Sequence, residues 1–248
     1  MPDAPAAAEP PAWYAPLDDW FLESALGDRT PEQLIDELIG QLNATGLPVR
    51  RLALSFGTLD PLFQSATLLW KPETGTVRER FRRDREQQPT WLRSPMKRLL
   101  DGRERWLAWT LPASPQDARR HPLLADLAAE GCACYAVEAL AFDKPELAFK
   151  PPYDGMLISW AGADAAPFMQ DDWRWLRRLN RRIASIAKAV GRENRALAIA
   201  QTYLGPLVGQ RIFRGRIARG DVEELEGVLW YCDLRGSTRL ADEMAPRD

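Results

Sequence analysis

Residues 30–57 read TPEQLIDELIGQLNATGLPVRRLALSFG, and the hydrophobic period changes partway along. Thr30, Pro31 and Gln33 form a capping box with proline at the first helical position, so a helix begins there. Leu34, Ile35, Leu38, Ile39 and Leu42 then make one apolar stripe, and Gly46 supplies a left-handed cap just past an end near Thr45. From Arg50 the period is two: Leu52, Leu54 and Phe56 share one face, Arg51, Ala53 and Ser55 the other. A capped helix feeding a half-buried strand is the opening of an α+β domain.

Outward from this stretch, strands are predicted at 66–71, 76–82, 104–111, 132–142 and 154–161, and short helices at 92–100 and 121–130, the second ending at Gly131. Helices and strands alternate without a regular βαβ rhythm, so the expected sheet is mostly antiparallel with flanking helices, in one domain over 17–170. Residues 1–16 read as a disordered leader with neither a basic region nor an apolar core, and no stretch approaches the roughly 20 apolar residues of a membrane span. The 33 Lys and Arg balance 35 Asp and Glu for a net charge of −2, which disfavours nucleic acid or an anionic membrane as partner. Cys132, Cys134 and Cys232 form no paired framework, and a single histidine argues against structural zinc, so a cytoplasmic setting is expected.

From Asp171 the pattern is helical to 204. Leu176, Leu179, Ile183, Ile186, Val190 and Leu197 follow heptad spacing, interrupted near Gly191 and Glu193. This stripe is read either as the seam of a homodimer or as the face that packs on the domain's own sheet, with one half for each also open. The arginines of 174–182 are expected on its solvated face. A connector over 205–226 follows.

Residues 227–244, GVLWYCDLRGSTRLADEM, place an apolar run from Val228 to Tyr231 before Asp233, a Gly-Ser-Thr turn and a helical start. A strand ending in Asp233 would hold a carboxylate where a divalent cation can sit, and backbone N–H groups of Gly236, Ser237 and Thr238 would meet phosphate oxygens. By pattern alone, a turn or cap residue at Asp233 is the commoner outcome.

The run Asp233-Leu234-Arg235-Gly236-Ser237-Thr238, preceded by Thr202-Tyr203-Leu204-Gly205-Pro206 through Arg219-Gly220-Asp221, resembles the connector and first strand of class III adenylyl or guanylyl cyclases. The resemblance implies that Asp233 binds two Mg²⁺ or Mn²⁺ ions, that the Leu234 carbonyl adds a ligand, and that Gly236, Ser237 and Thr238 line the triphosphate of ATP or GTP. Ser237 departs from the family's usual Phe. The second metal-binding Asp, the purine-selecting pair and the transition-state Asn and Arg lie downstream in the family, so residues 227–248 are expected to be the inactive start of a catalytic domain. The N-terminal arrangement resembles a GAF domain in architecture, with no signature motif, and implies a ligand held between sheet and covering helices. The alternative function is a self-contained GAF-like binding and dimerisation module without catalysis. Cys132 and Cys134 are read as buried structural thiols, His121 as a capping or surface residue, and the tryptophans, among them Trp70, Trp91, Trp106, Trp109 and Trp160, as core or sheet-face residues.

Overall fold

A computed structural model describes residues 9–27, 29–58, 60, 62–83, 88–101, 104–142, 155–165, 168, 173–216, 218, 220, 228 and 230–244. Helices α1 (Leu17–Leu26) and α2 (Pro31–Ala44) lead into strands β1 (Val49–Gly57), β2 (Phe63–Lys71) and β3 (Gly75–Arg82). Helices α3 (Pro89–Leu92) and α4 (Pro95–Asp101), strand β4 (Trp106–Thr110), helices α5 (Pro115–Arg120) and α6 (Leu123–Ala129), and strands β5 (Cys134–Ala141) and β6 (Gly155–Gly162) follow. Helix α7 (Trp173–Leu204), α8 (Pro206–Phe213) and α9 (Ser237–Glu243) complete the order. The strands form one six-stranded sheet, ordered β3-β2-β1-β6-β5-β4, with every neighbouring pair antiparallel. The α+β architecture expected from the sequence is therefore present.

Helix α2 starts as its capping box dictates: the Thr30 hydroxyl accepts from the Gln33 N–H and the Gln33 side chain accepts from the Thr30 N–H. Gly46 takes φ +99, the left-handed conformation that stops the helix without a Cβ penalty. The five stripe residues of α2 are all buried. Strand β6 is buried along its whole length, because it lies between β1 and β5 and helices cover both faces. Gly162 at its end has no room for a side chain: a Cβ there would come within 2.7 Å of the Phe168 ring.

One face of the sheet packs against α1, α2 and the first part of α7 around Leu52, Leu68, Ile158 and Trp160. The other face carries a smaller cluster in which Leu99, Leu124 and Leu127 cover Tyr135, Val137 and Ala161. Trp13 and Tyr14 correct the reading of 1–16 as disordered over its described part. Both are buried in the first cluster, and the Tyr14 ring lies 4.8 Å from that of Trp175. The physical reason is aromatic area: two large rings have more to gain from burial than eight ordered residues of leader would otherwise suggest. Residues 1–8 lie outside the described residues.

Helix α7 spans 32 residues, or about 48 Å at 1.5 Å per residue. Only its first part meets the sheet. Leu176, Leu179 and Ile183 are buried in the domain's own core, whereas Ile186, Val190 and Leu197 are half-buried. The arginine run is not uniformly solvated either. Arg177 reaches back to Glu138 on β5 at 2.7 Å, and Arg182 lies over the Tyr14 ring at 5.2 Å. Asn180, fully buried, accepts from the Trp160 indole N–H at 2.8 Å and donates to Glu138 at 2.7 Å. Helix α7 ends at Gly205, φ +83, and α8 folds back so closely that a Cβ on Gly209 would lie 2.7 Å from the Gln201 backbone nitrogen.

Asn180→Leu leaves the Trp160 N–H and one Glu138 oxygen buried and unpaired. It should destabilise the chain by about 1–3 kcal/mol in urea unfolding, whereas the exposed change Arg174→Leu should fall within about 0.5 kcal/mol of the parent.

Candidate functional site

On the face of the sheet opposite α2, the centre of β1 and β2 carries short side chains, Ala53 and Ser55 from β1 and Ser65 and Thr67 from β2. The aliphatic cluster that covers β4, β5 and β6 does not extend over them. The space left is a cavity of about 380 Å³, walled by Phe81 of β3, by Trp91, Ser94, Met96 and Leu100 around α3 and α4, and by Pro122, Leu123 and Asp126 at the start of α6. Its size lies within the roughly 300–1,000 Å³ of small-molecule sites.

The floor is polar and ordered. The Ser55 and Thr67 hydroxyls share a hydrogen bond of 2.7 Å, and the Arg51 guanidinium donates to the Ser159 hydroxyl at 3.3 Å. Arg51 and Arg93 supply positive charge, Glu79 and Asp126 negative charge, and Phe81, Trp91 and Met96 an apolar wall. That combination suits a small molecule with a flat or apolar body and a hydrogen-bonding edge.

Two helical segments form the lid, and His121 ties them together. Its Nδ1–H donates to the Arg93 carbonyl at 2.9 Å, and the Arg93 guanidinium donates to the Arg119 carbonyl. From the sequence His121 is expected as a capping residue at a helix start or a surface residue; it is instead the C-cap of α5, and it is buried. Its ring lies 5.7 Å from Trp109, and Nε2 has no hydrogen-bond partner among the described residues. Burial pulls the imidazole below its ordinary value of 6.5, with Arg120 and Arg98 adding to the effect against the pull of the Arg93 carbonyl and Asp117.

Apart from Trp91 and His121, the residues singled out in the sequence fall elsewhere. Cys132 and Cys134 are buried, with the Cys134 thiol donating to the Asp164 carbonyl at 3.1 Å and pushed up to about 12 by burial. Neither lines the cavity. Trp91 does, and Trp160 is a core residue. Arg51, Ser55, Thr67 and Arg93 carried no motif; the one available signal was the polar face of β1, which reads equally well as solvent-facing.

The strand expected over Val228 to Tyr231 is not formed by the described residues. Val228, Trp230 and Tyr231 are 97%, 86% and 92% exposed, and residues 230–234 have no regular structure. A strand needs a neighbour to pair its backbone and cover its apolar face, and none is present among the described residues. The local part of the reading does appear: Gly236 takes φ +77 and α9 begins at Ser237. Asp233, Leu234, Gly236, Ser237 and Thr238 are all exposed, and no cluster of three or more His, Cys, Asp or Glu side chains able to hold a metal ion occurs among the described residues. No helix among the described residues is long and apolar enough to cross a membrane.

No family model matches the chain, and neither does any curated protein. Among solved structures it is similar to the GAF domain of a two-component sensor histidine kinase from Bacillus halodurans, at 14% identity and a TM-score of 0.41, covering 65% of this chain and 95% of that one. It is also similar to the phycocyanobilin-bound GAF domain of a cyanobacterial phytochrome, at 11% identity and a TM-score of 0.42, covering 69% and 91%.

Because the folded chain binds its His121 proton less tightly than the unfolded chain, stability is complete above pH 6.5 and is lost as pH falls through that value toward the lowered folded-state pKa. The urea midpoint of the parent should therefore drop between about pH 7.5 and about pH 5.5. In His121→Gln the drop should be smaller; an equal drop in both would place the acid sensitivity elsewhere.

Proposed function

We propose that the chain is a GAF-like regulatory module that binds a small molecule in the cavity beneath α3, α4 and α6 and reports its presence through α7. The observation that carries this reading is the cavity itself: a polar, hydrogen-bonded floor on β1 and β2 under an aromatic and aliphatic lid. The route to α7 is short. Strand β6 meets Arg51 through Ser159 on the cavity side, and its next residue, Trp160, bonds Asn180 of α7 on the other. A ligand that moves Arg51 thus acts on the strand that seats the exit helix. Neither Cys132 nor Cys134 reaches the cavity, so the ligand would be held without a thioether bond.

A second reading makes α7 a signalling helix and 205–226 the connector to a class III nucleotidyl cyclase domain that begins at 227. It rests on the sequence Asp233 to Thr238 and on the glycine turn and helix start found there. On that reading, the coding sequence downstream of Asp248 contains a further aspartate after another strand and later an asparagine and arginine at cyclase spacing. A stop codon or an unrelated sequence there would remove this reading and leave the first intact.

The ligand reading is tested by ligand-observed NMR with a panel of nucleotides, amino acids and aromatic acids. At least one compound should bind the parent, and Ser65→Trp, which fills the cavity from β2, should abolish that binding while the far-UV spectrum is unchanged. No binder in the panel, or binding indifferent to Ser65→Trp, would count against the cavity.

A further inference from the structure

The opposite face of the same three strands carries a second, larger cavity of about 550 Å³. Its walls are α2 on one side and the second half of α7 on the other, with Leu54, Phe56 and Leu68 as floor. Leu34, Leu38, Ile186, Val190 and Leu197 face it. The α7 residues among these, Ile186, Val190 and Leu197, lie beyond the last buried core position of the helix, Ala184, and are half-buried. The lining is therefore aliphatic and aromatic for most of its extent, and an occupant's body has to be apolar.

Charge at the cavity is one-sided. Arg78, Arg80 and Arg195 line it against a single acid, Asp60. The Asp60 carboxylate already accepts from the backbone N–H groups of Leu62 and Phe63, at 2.8 and 3.0 Å. Arg78 is paired with Glu32, and Arg80 lies over the Phe63 ring at 5.7 Å, within reach of a group entering beside that ring. Hydrocarbon between two helices with guanidinium groups at its edge matches an aliphatic chain ending in a carboxylate or a similar anion.

We propose that this cavity is a second ligand site, for a free single-chain amphiphile with an anionic head, seated between α2 and α7 with the head beside Arg80. Such a ligand packs directly against α7 from Ile183 through its half-buried continuation to Leu197, and so braces that helix from below. The site does not depend on the ligand reading of the smaller cavity, since the two lie on opposite faces.

The test is calorimetric titration of the full chain with dodecanoate below its micellar concentration. Saturable binding of one molecule per chain is expected. Arg80→Glu, an exposed change, should weaken it roughly fivefold, and Ala187→Trp, which fills the cavity from α7, should abolish it; Ser65→Trp in the smaller cavity should leave it unchanged. Should Ala187→Trp fail to fold, Arg80→Glu decides alone. The proposal is overturned by absence of saturable binding, by equal affinity for dodecyltrimethylammonium, by affinity unchanged in Arg80→Glu, or by binding that appears only with phosphatidylglycerol vesicles.

Discussion

The seating of α7 on the sheet hangs on one buried carboxylate. Glu138 is 1% exposed on a strand whose neighbours are apolar, and such a charge is tolerated only with partners that meet both oxygens. Arg177 takes one oxygen and Asn180 the other, and Asn180 also receives the Trp160 N–H from the adjacent strand. Two strands and one helix are thus joined by a single connected set of hydrogen bonds. Apolar packing of Leu176, Leu179 and Ile183 supplies the adhesion, but it tolerates rotation of the helix; the polar set does not. It fixes which face of α7 looks at the sheet and hence the direction in which the remaining helix projects.

The sheet is covered unevenly, and both cavities follow from that. Over β4, β5 and β6 leucines from α4 and α6 close one face, and α1 and α7 help close the other. Over β1, β2 and β3 one face has short polar side chains beneath a lid of short helices, and the other looks into the gap between α2 and α7. Phe56, Gly57 and Met156 border both spaces. Occupancy on either face therefore bears on the same pair of strands, β1 and β6, and β6 is the one that seats α7. The two proposed sites are mechanically adjacent although they open on opposite sides.

The C-terminal segment separates local from non-local structure. Gly236 and the helix after it form from short-range preferences: a residue free to take positive φ, then a run that can be helical on its own. The apolar residues before Asp233 need a partner strand for burial, and without one among the described residues they stand in solvent. Beyond the sheet, α7 and α8 likewise leave apolar side chains exposed, among them Ile199, Tyr203 and Leu207.

By itself the sequence determined what depends on neighbours along the chain. The capping box and stripe of α2, the alternation of β1, the extent of the other strands to within a few residues, the α+β class and the length of the exit helix were all legible, because capping and periodicity act over a few residues. Tertiary structure decided what depends on contacts far apart in sequence. It drew Trp13 and Tyr14 into the core, assigned the first half of the heptad stripe to the domain's own sheet, and buried His121 as the tie between two lid segments. It also turned Ser55 and Thr67 from the polar face of a strand into a cavity floor, because nothing local says whether a polar face meets water or a lid. The order of the strands could be read along the chain, although helices α1 and α5 were not expected; the spaces between elements exist only once distant elements have packed.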